Sequence, residues 1–184
     1  MKNLLLLSFF LLPVVKVAAQ IKYFTKAGKI TFYSKAPLED IEAVNNKVTC
    51  VWDVNTGQIE LAVLMKGFEF ERALMEEHFN ENYIESDKFP RAEFKGSIEG
   101  NDKVNYAKDG SYPVKVKGKL TIHGETKDVE TDGKLTIQGG KINAVADFSV
   151  LLADYKISIP GLVADKVSKI AKISVTCALE PLKG

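Results

Sequence analysis

The sequence predicts an all-β fold, an eight-stranded antiparallel barrel with one or two short helices at its ends. Three observations predict it. After Gln20 most segments alternate apolar and polar residues with period two, the pattern of strands with one buried and one wet face. Two glycine-bearing four-residue stretches, His123-Gly124-Glu125-Thr126 and Gln138-Gly139-Gly140-Lys141, read as tight hairpin turns. Read independently, these turns give three consecutive strands one consistent inward face. About eight such strands in one small domain can close into a barrel, whose interior is filled by side chains or holds one small ligand.

The first nineteen residues stand apart from this pattern. Met1-Lys2-Asn3 is a short positive start, Leu4 to Val15 is almost unbroken apolar sequence, and Val17-Ala18-Ala19 supplies small residues for cleavage. This is the three-part pattern of a secretory signal peptide, so residues 1–19 are assigned to export and residues 20–184 to a single domain. Pro13 argues against a buried helix there. The expected location is the periplasm, or outside the cell. Removal of Lys2 and Lys16 leaves 23 basic against 24 acidic residues. A near-neutral chain argues against a dedicated nucleic-acid binder.

Strands are then expected over residues 28–34, with Ile30 and Phe32 on one face, and over 48–54, with Val48, Cys50 and Trp52 inward. A turn at Asn55-Thr56-Gly57 leads into 59–68, which carries Leu61 and Val63. Residues 71–79 read as a short helix. Leu74 and His78, and Met75 and Phe79, are four apart on one side of it, so it should lie across one barrel end. Residues 91–98 resume the alternation, with Ala92, Phe94, Gly96 and Ile98 on one face. The meander follows, with even positions inward over 114–122, odd over 129–137 and even over 142–152. Residues 160–164 suggest another short helical turn, and 172–179 close the chain with Ile173, Val175 and Cys177 inward.

Placing Gly124-Glu125 at the centre of the first turn sets Lys119 opposite Glu130, Lys117 opposite Asp132 and Leu120 opposite Val129. Opposite charges then meet on the outer face. The same register puts Lys127 inward, opposite Ile122, at the barrel rim. The second turn sets Ile137 opposite Ile142 and Leu135 opposite Ala144.

The consistent inside predicts a continuous apolar tunnel lined by Ile30, Phe32, Trp52, Leu61, Val63, Phe94, Leu120, Ile122, Phe148, Val150, Leu152 and Val175. Lysines outward and apolar residues inward exclude an outer-membrane barrel, which needs the reverse. Candidate head-group contacts are His78, on the apolar side of the short helix, and Lys127, whose stem would line the wall while its ammonium reaches water. His123 falls on the lysine-bearing face and reads as a surface residue. Cys50 and Cys177 both point to the core and, in an oxidising compartment, are a candidate disulfide, with two buried free thiols as the alternative. No His-x-x-x-His or Cys-x-x-Cys pair, no Gly-x-Ser-x-Gly elbow and no phosphate-cradling loop occurs. Neither a metal nor a cofactor is expected.

The stretch from Leu74 through His78 and Tyr83 to Pro90 is similar to the central motif of YceI-like proteins. Gly118-Lys-Leu-Thr-Ile-His-Gly-Glu-Thr-Lys127 resembles their second motif, Asp154-Tyr-Lys-Ile-Ser-Ile-Pro160 a third, and Gly28-Lys-Ile-Thr-Phe-Tyr-Ser34 their N-terminal strand. The order of motifs covers essentially all of the chain after residue 20, and the long central one is most like versions from Bacteroidota. The resemblance implies a lipocalin-like barrel with an elongated apolar cavity, and exported proteins that bind isoprenoid or fatty-acyl lipids. The expected function is therefore a non-enzymatic lipid carrier or store whose partner is that lipid. The competing readings are a structural or partner-binding barrel with a filled core, and an enzyme using His78 as general base, which lacks an identifiable second polar partner. A homodimer is left open.

Overall fold

The computed structural model describes residues 22–35, 40–161 and 167–182. The expected signal peptide, residues 1–19, and most of the expected turn over 160–164 lie outside the described residues. Among those described, nine strands run in order: β1 (Lys22–Lys35), β2 (Asp40–Asp53), β3 (Gln58–Leu64), β4 (Glu69–Phe70), β5 (Arg91–Glu99), β6 (Gly110–Ile122), β7 (Glu125–Gln138), β8 (Lys141–Leu151) and β9 (Ile170–Pro181). Eight of them form a closed antiparallel barrel, sealed by pairing of β1 with both β2 and β9, while the two-residue β4 adds to the start of β2.

The strands are longer than the alternation suggests where bulges interrupt it. The β1–β2 register shifts between Thr25 and Gly28 and again between Gly28 and Ile30. Each shift breaks the period-two signal while the ladder continues. The strand expected over 59–68 stops at Leu64, and a 3-10 turn, Met65–Gly67, follows. Buried Asn45 on β2 fixes this corner, donating from Nδ2 to the Leu64 carbonyl at 2.9 Å and accepting from the Lys47 amide at 2.9 Å.

The second hairpin has the expected register, Ile137 opposite Ile142 and Leu135 opposite Ala144. The first differs by two residues. Its central pair is His123-Gly124, both left-handed at φ 51° and 76°, so Ile122 faces Glu125 and Leu120 faces Lys127. Positive φ at both central residues is the conformation that follows strand twist. Lys119 therefore meets Asp128 at 2.9 Å, Lys117 lies 3.4 Å from Glu130, and Lys115 lies 3.1 Å from Asp132. Acids recur along β7 with period two, so a two-residue slip exchanges one acid for the next and leaves every side chain on its face.

Apolar packing divides the interior into two levels. At the end carrying the Asn55 and Gly139 turns, Trp52, Val54, Ile98, Val104, Leu135, Ile137, Ile142 and Leu179 form a packed core. Fully buried Trp52 meets Tyr106 edge to face at 5.7 Å. The Tyr106 hydroxyl donates to Asn101 Oδ1, and Asn101 Nδ2 donates to the Val54 carbonyl at 2.7 Å. At the other end a second cluster surrounds open space.

Midway up the wall, Gly96 and Gly118 face each other across β5 and β6. An ideal Cβ on Gly118 would stand 2.4 Å from the Lys95 carbonyl oxygen and 2.7 Å from the Phe94 ring. The two glycines thus give Phe94 a flat bed on which to lie.

Candidate functional site

The open space is an apolar cavity of about 510 Å³ that runs from this end down to the packed core, whose Ile98, Leu135 and Cys177 also border it. Eleven of the twelve predicted lining residues border it, from Ile30 and Phe32 on β1 to Phe148 and Val150 on β8 and Val175 on β9. The exception is Trp52. It points inward as its alternation requires, but at the level of the packed floor. The expected continuous tunnel is a cavity that reaches Leu135 and Cys177 of the packed core and stops short of Trp52. Among the described residues, the Trp52 indole N–H has no hydrogen-bond partner.

An α-helix, α1 (Ala73–His78), crosses the open end and continues as a π-turn, Phe79–Tyr83. Arg72, Leu74, Met75, His78 and Phe79 all border the cavity, so this segment is the wall of its mouth. An aromatic cluster holds it down. Phe79 stacks on Phe32 at 5.6 Å and meets Phe70 at 5.0 Å and Phe68 at 5.6 Å. Beyond the π-turn, the chain is fastened by Asn80. Its Nδ2 donates to the Glu76 carbonyl, and its Oδ1 accepts from the hydroxyl of buried Ser86 at 2.7 Å.

Phe68 and Phe70 border the cavity but are absent from the lining that the sequence predicts. Their spacing of two is the signal that finds them, but the Met65–Gly67 turn shifts the parity from the odd positions of β3 to even ones, so the β3 alternation carried forward misses them. Ile84, Tyr155 and Ile157 also border the cavity and escape sequence reasoning, because they lie in irregular segments where no period applies.

Polar groups at the cavity gather at the mouth. His78 borders it, but is exposed rather than the buried histidine its apolar flank suggests. Ser34 is buried, and its Oγ accepts from the Ser168 amide at 3.2 Å. Deeper down, the Thr131 hydroxyl is satisfied by the Asp147 carbonyl at 2.7 Å. Lys127 is not at the cavity. The observed register sets it opposite Leu120, exposed, near Glu125.

The two histidines exchange the roles the sequence suggests. His123 is not a surface residue, for its side chain is only 12% exposed. Its Nδ1 lies 3.0 Å from the Tyr155 carbonyl oxygen and its ring meets Phe89 at 4.5 Å. The hairpin tip is thereby tied to the segments after β8 and before β5.

Cys50 and Cys177 are both buried, as free thiols rather than the candidate disulfide. The neighbouring Cys177 thiol, and then burial, push the Cys50 thiol well above the ordinary cysteine value. Gly28 of the β1 bulge leaves room for them, since an ideal Cβ there would stand 3.1 Å from Cys177 Sγ. Among the described residues no group of three His, Cys, Asp or Glu side chains is placed to hold a metal ion.

The family model for the YceI-like domain matches residues 18–179. A polyisoprenoid-binding domain from Saccharophagus degradans has a similar structure, with a TM-score of 0.76 at 13% identity, covering 89% of this chain and 99% of that one. BcnA from Burkholderia cenocepacia superimposes with a TM-score of 0.68 at 14% identity, over 83% and 95% of the two chains. A YCEI protein from Campylobacter jejuni gives 0.51 at 15% identity over the full length of both. A search of the curated proteins finds no match.

Proposed function

Because the chain belongs to the YceI-like family, we propose that it binds one isoprenoid or fatty-acyl lipid, tail inward, in the barrel cavity. One observation carries the reading: a preformed apolar space lies behind a mouth where the polar groups collect. At about 30 Å³ for a water-sized volume, comparable to one methylene, the cavity holds roughly fifteen to twenty chain carbons. Each methylene removed from water contributes about 0.8 kcal/mol, so a filled cavity supplies tight binding with no catalytic group. The Saccharophagus degradans neighbour is itself a polyisoprenoid-binding domain, in keeping with the reading.

In this reading the polar end of the lipid meets His78 and Arg72, which border the mouth. The N-terminal export pattern adds that the protein works outside the cytoplasm, as a carrier or store. The filled-core alternative loses ground, because about 510 Å³ of the interior is left open between the two packed clusters.

Native mass spectrometry of protein purified from its own cell envelope tests the reading. One lipid per chain, released on unfolding, is the expected result. Protein that emerges empty and takes up no long-chain lipid afterwards overturns it.

A further inference from the structure

Five large apolar residues are exposed in the described structure, and four of them sit at the mouth end: Leu64 at 52%, Leu74 at 60%, Leu151 at 41% and Ile170 at 50%. The fifth, Leu182, is at the closed end, where its amide donates to the Lys22 carbonyl. Strand geometry fixes the directions of three of the four. Val63, Val150 and Ala171 are buried toward the inside, so Leu64, Leu151 and Ile170, their immediate neighbours, project from the outer wall. Each is the last or first residue of its strand at the rim. Leu151 and Ile170 pair directly across β8 and β9. Leu64 on β3 lies on the opposite side of the barrel, three strands away from β9 through β2 and β1. Leu74 stands on α1, at the cavity itself. The apolar groups thus surround the opening instead of forming one lateral patch.

Cations accompany them. Arg91 is registered opposite Leu64, Lys169 precedes Ile170, and Arg72 borders the mouth beside Leu74. A ring of apolar side chains with basic groups beside them suits the boundary between acyl chains and phosphate head groups. We propose that the mouth end of the barrel docks on a phospholipid bilayer, with Leu64, Leu74, Leu151 and Ile170 inserted and the cavity opening onto the membrane. This deepens the lipid-binding reading and rests on it for its purpose. A long-chain lipid has little free concentration in water, and contact between mouth and membrane lets it pass without crossing water. A flat surface touches both sides of the rim at once, which a partner bound to one side would not.

The test uses the signal-less chain and a triple variant, Leu64→Ser/Leu151→Ser/Ile170→Ser, which leaves every cavity-lining residue intact. Flotation with vesicles of equal parts phosphatidylcholine and phosphatidylglycerol should carry the parent protein upward. The triple variant should partition at least about tenfold less. Uptake of cis-parinaric acid supplied on cyclodextrin should be unchanged, while uptake from vesicles slows. The single variant Leu64→Asp, on the opposite side from the Leu151–Ile170 pair, gives an independent reading should the triple variant prove unstable. Parent protein that stays off the vesicles, or variants that bind as it does, overturns the proposal. So does a parent protein that stays off vesicles but forms a dimer that the triple variant abolishes. No uptake of parinaric acid from cyclodextrin would overturn the lipid-binding reading, whatever flotation shows.

Discussion

Nε2 of His123 lies 3.0 Å from Oε2 of Glu85, and both residues hold left-handed backbone, at φ 51° and 49°. Each such conformation costs on the order of 1 kcal/mol for a residue with a side chain. The contact between them, together with the Tyr155 carbonyl on Nδ1, offsets that strain. Both ring nitrogens face acceptors, so both hydrogen bonds form together when the ring carries two protons. We expect His123→Ala to lower stability by about 1–3 kcal/mol in chemical denaturation. His123→Asn, which tolerates positive φ, should recover part of that loss. His78→Ala, at the exposed mouth, should change stability little and lipid retention more.

Filling the cavity separates binding from folding. Ala146 borders it opposite Gly133 on β7. Ala146→Phe should reduce occupancy by long-chain lipids and shift preference to shorter ones, with a melting temperature near that of the parent. Competition among fatty acids of graded length, read by native mass spectrometry, checks this.

The glycine bed is a harder constraint. Gly118→Ala forces a methyl against backbone, at 2.4 Å from the Lys95 carbonyl oxygen. Overpacking of this kind costs about 1–3 kcal/mol, and the displaced Phe94 ring should narrow the cavity as well. Thermal denaturation together with lipid uptake would show both losses in one variant.

On the outer wall, Lys115 and then Lys117 hold the Glu130 carboxyl below its ordinary value of 4.5. A depressed carboxyl stabilises the fold fully above its unfolded pKa, and that contribution is lost as pH falls through the lower folded value. The group is exposed, so the effect is small. Glu130→Gln should therefore melt slightly below the parent at pH 7, and the difference should vanish in acid well below pH 4.5.

Cys50 and Cys177, both buried, should resist alkylation by iodoacetamide until the protein unfolds. Two labels per chain on unfolding without reductant identify free thiols. No labels would identify a disulfide.

How much of this is legible in the sequence follows from what parity can and cannot carry. Inward or outward is a parity property. It survives the two-residue slip at His123-Gly124, so Phe148 and Leu120 fall on the correct face even though Lys119 is given the wrong partner. Height along the barrel axis is not a parity property. Trp52 and Leu61 alternate equally well, yet one lies in the floor and the other at the cavity. The turn at His123 is misplaced because its strain is relieved by Glu85 and Tyr155, dozens of residues away in the chain. Local sequence gives no sign of partners so distant. The same distance hides the buried state of the ring itself. The helix over the mouth is legible from its four-residue spacing, whereas the aromatic cluster beneath it joins three separate segments.

The packed floor has a consequence for traffic. A vessel with one opening works in batches. The tail that goes in first comes out last, and a loaded molecule must empty before it can refill. On the carrier role proposed above, donor and acceptor would compete for a single doorway, and neither would see more of the cargo than its polar end.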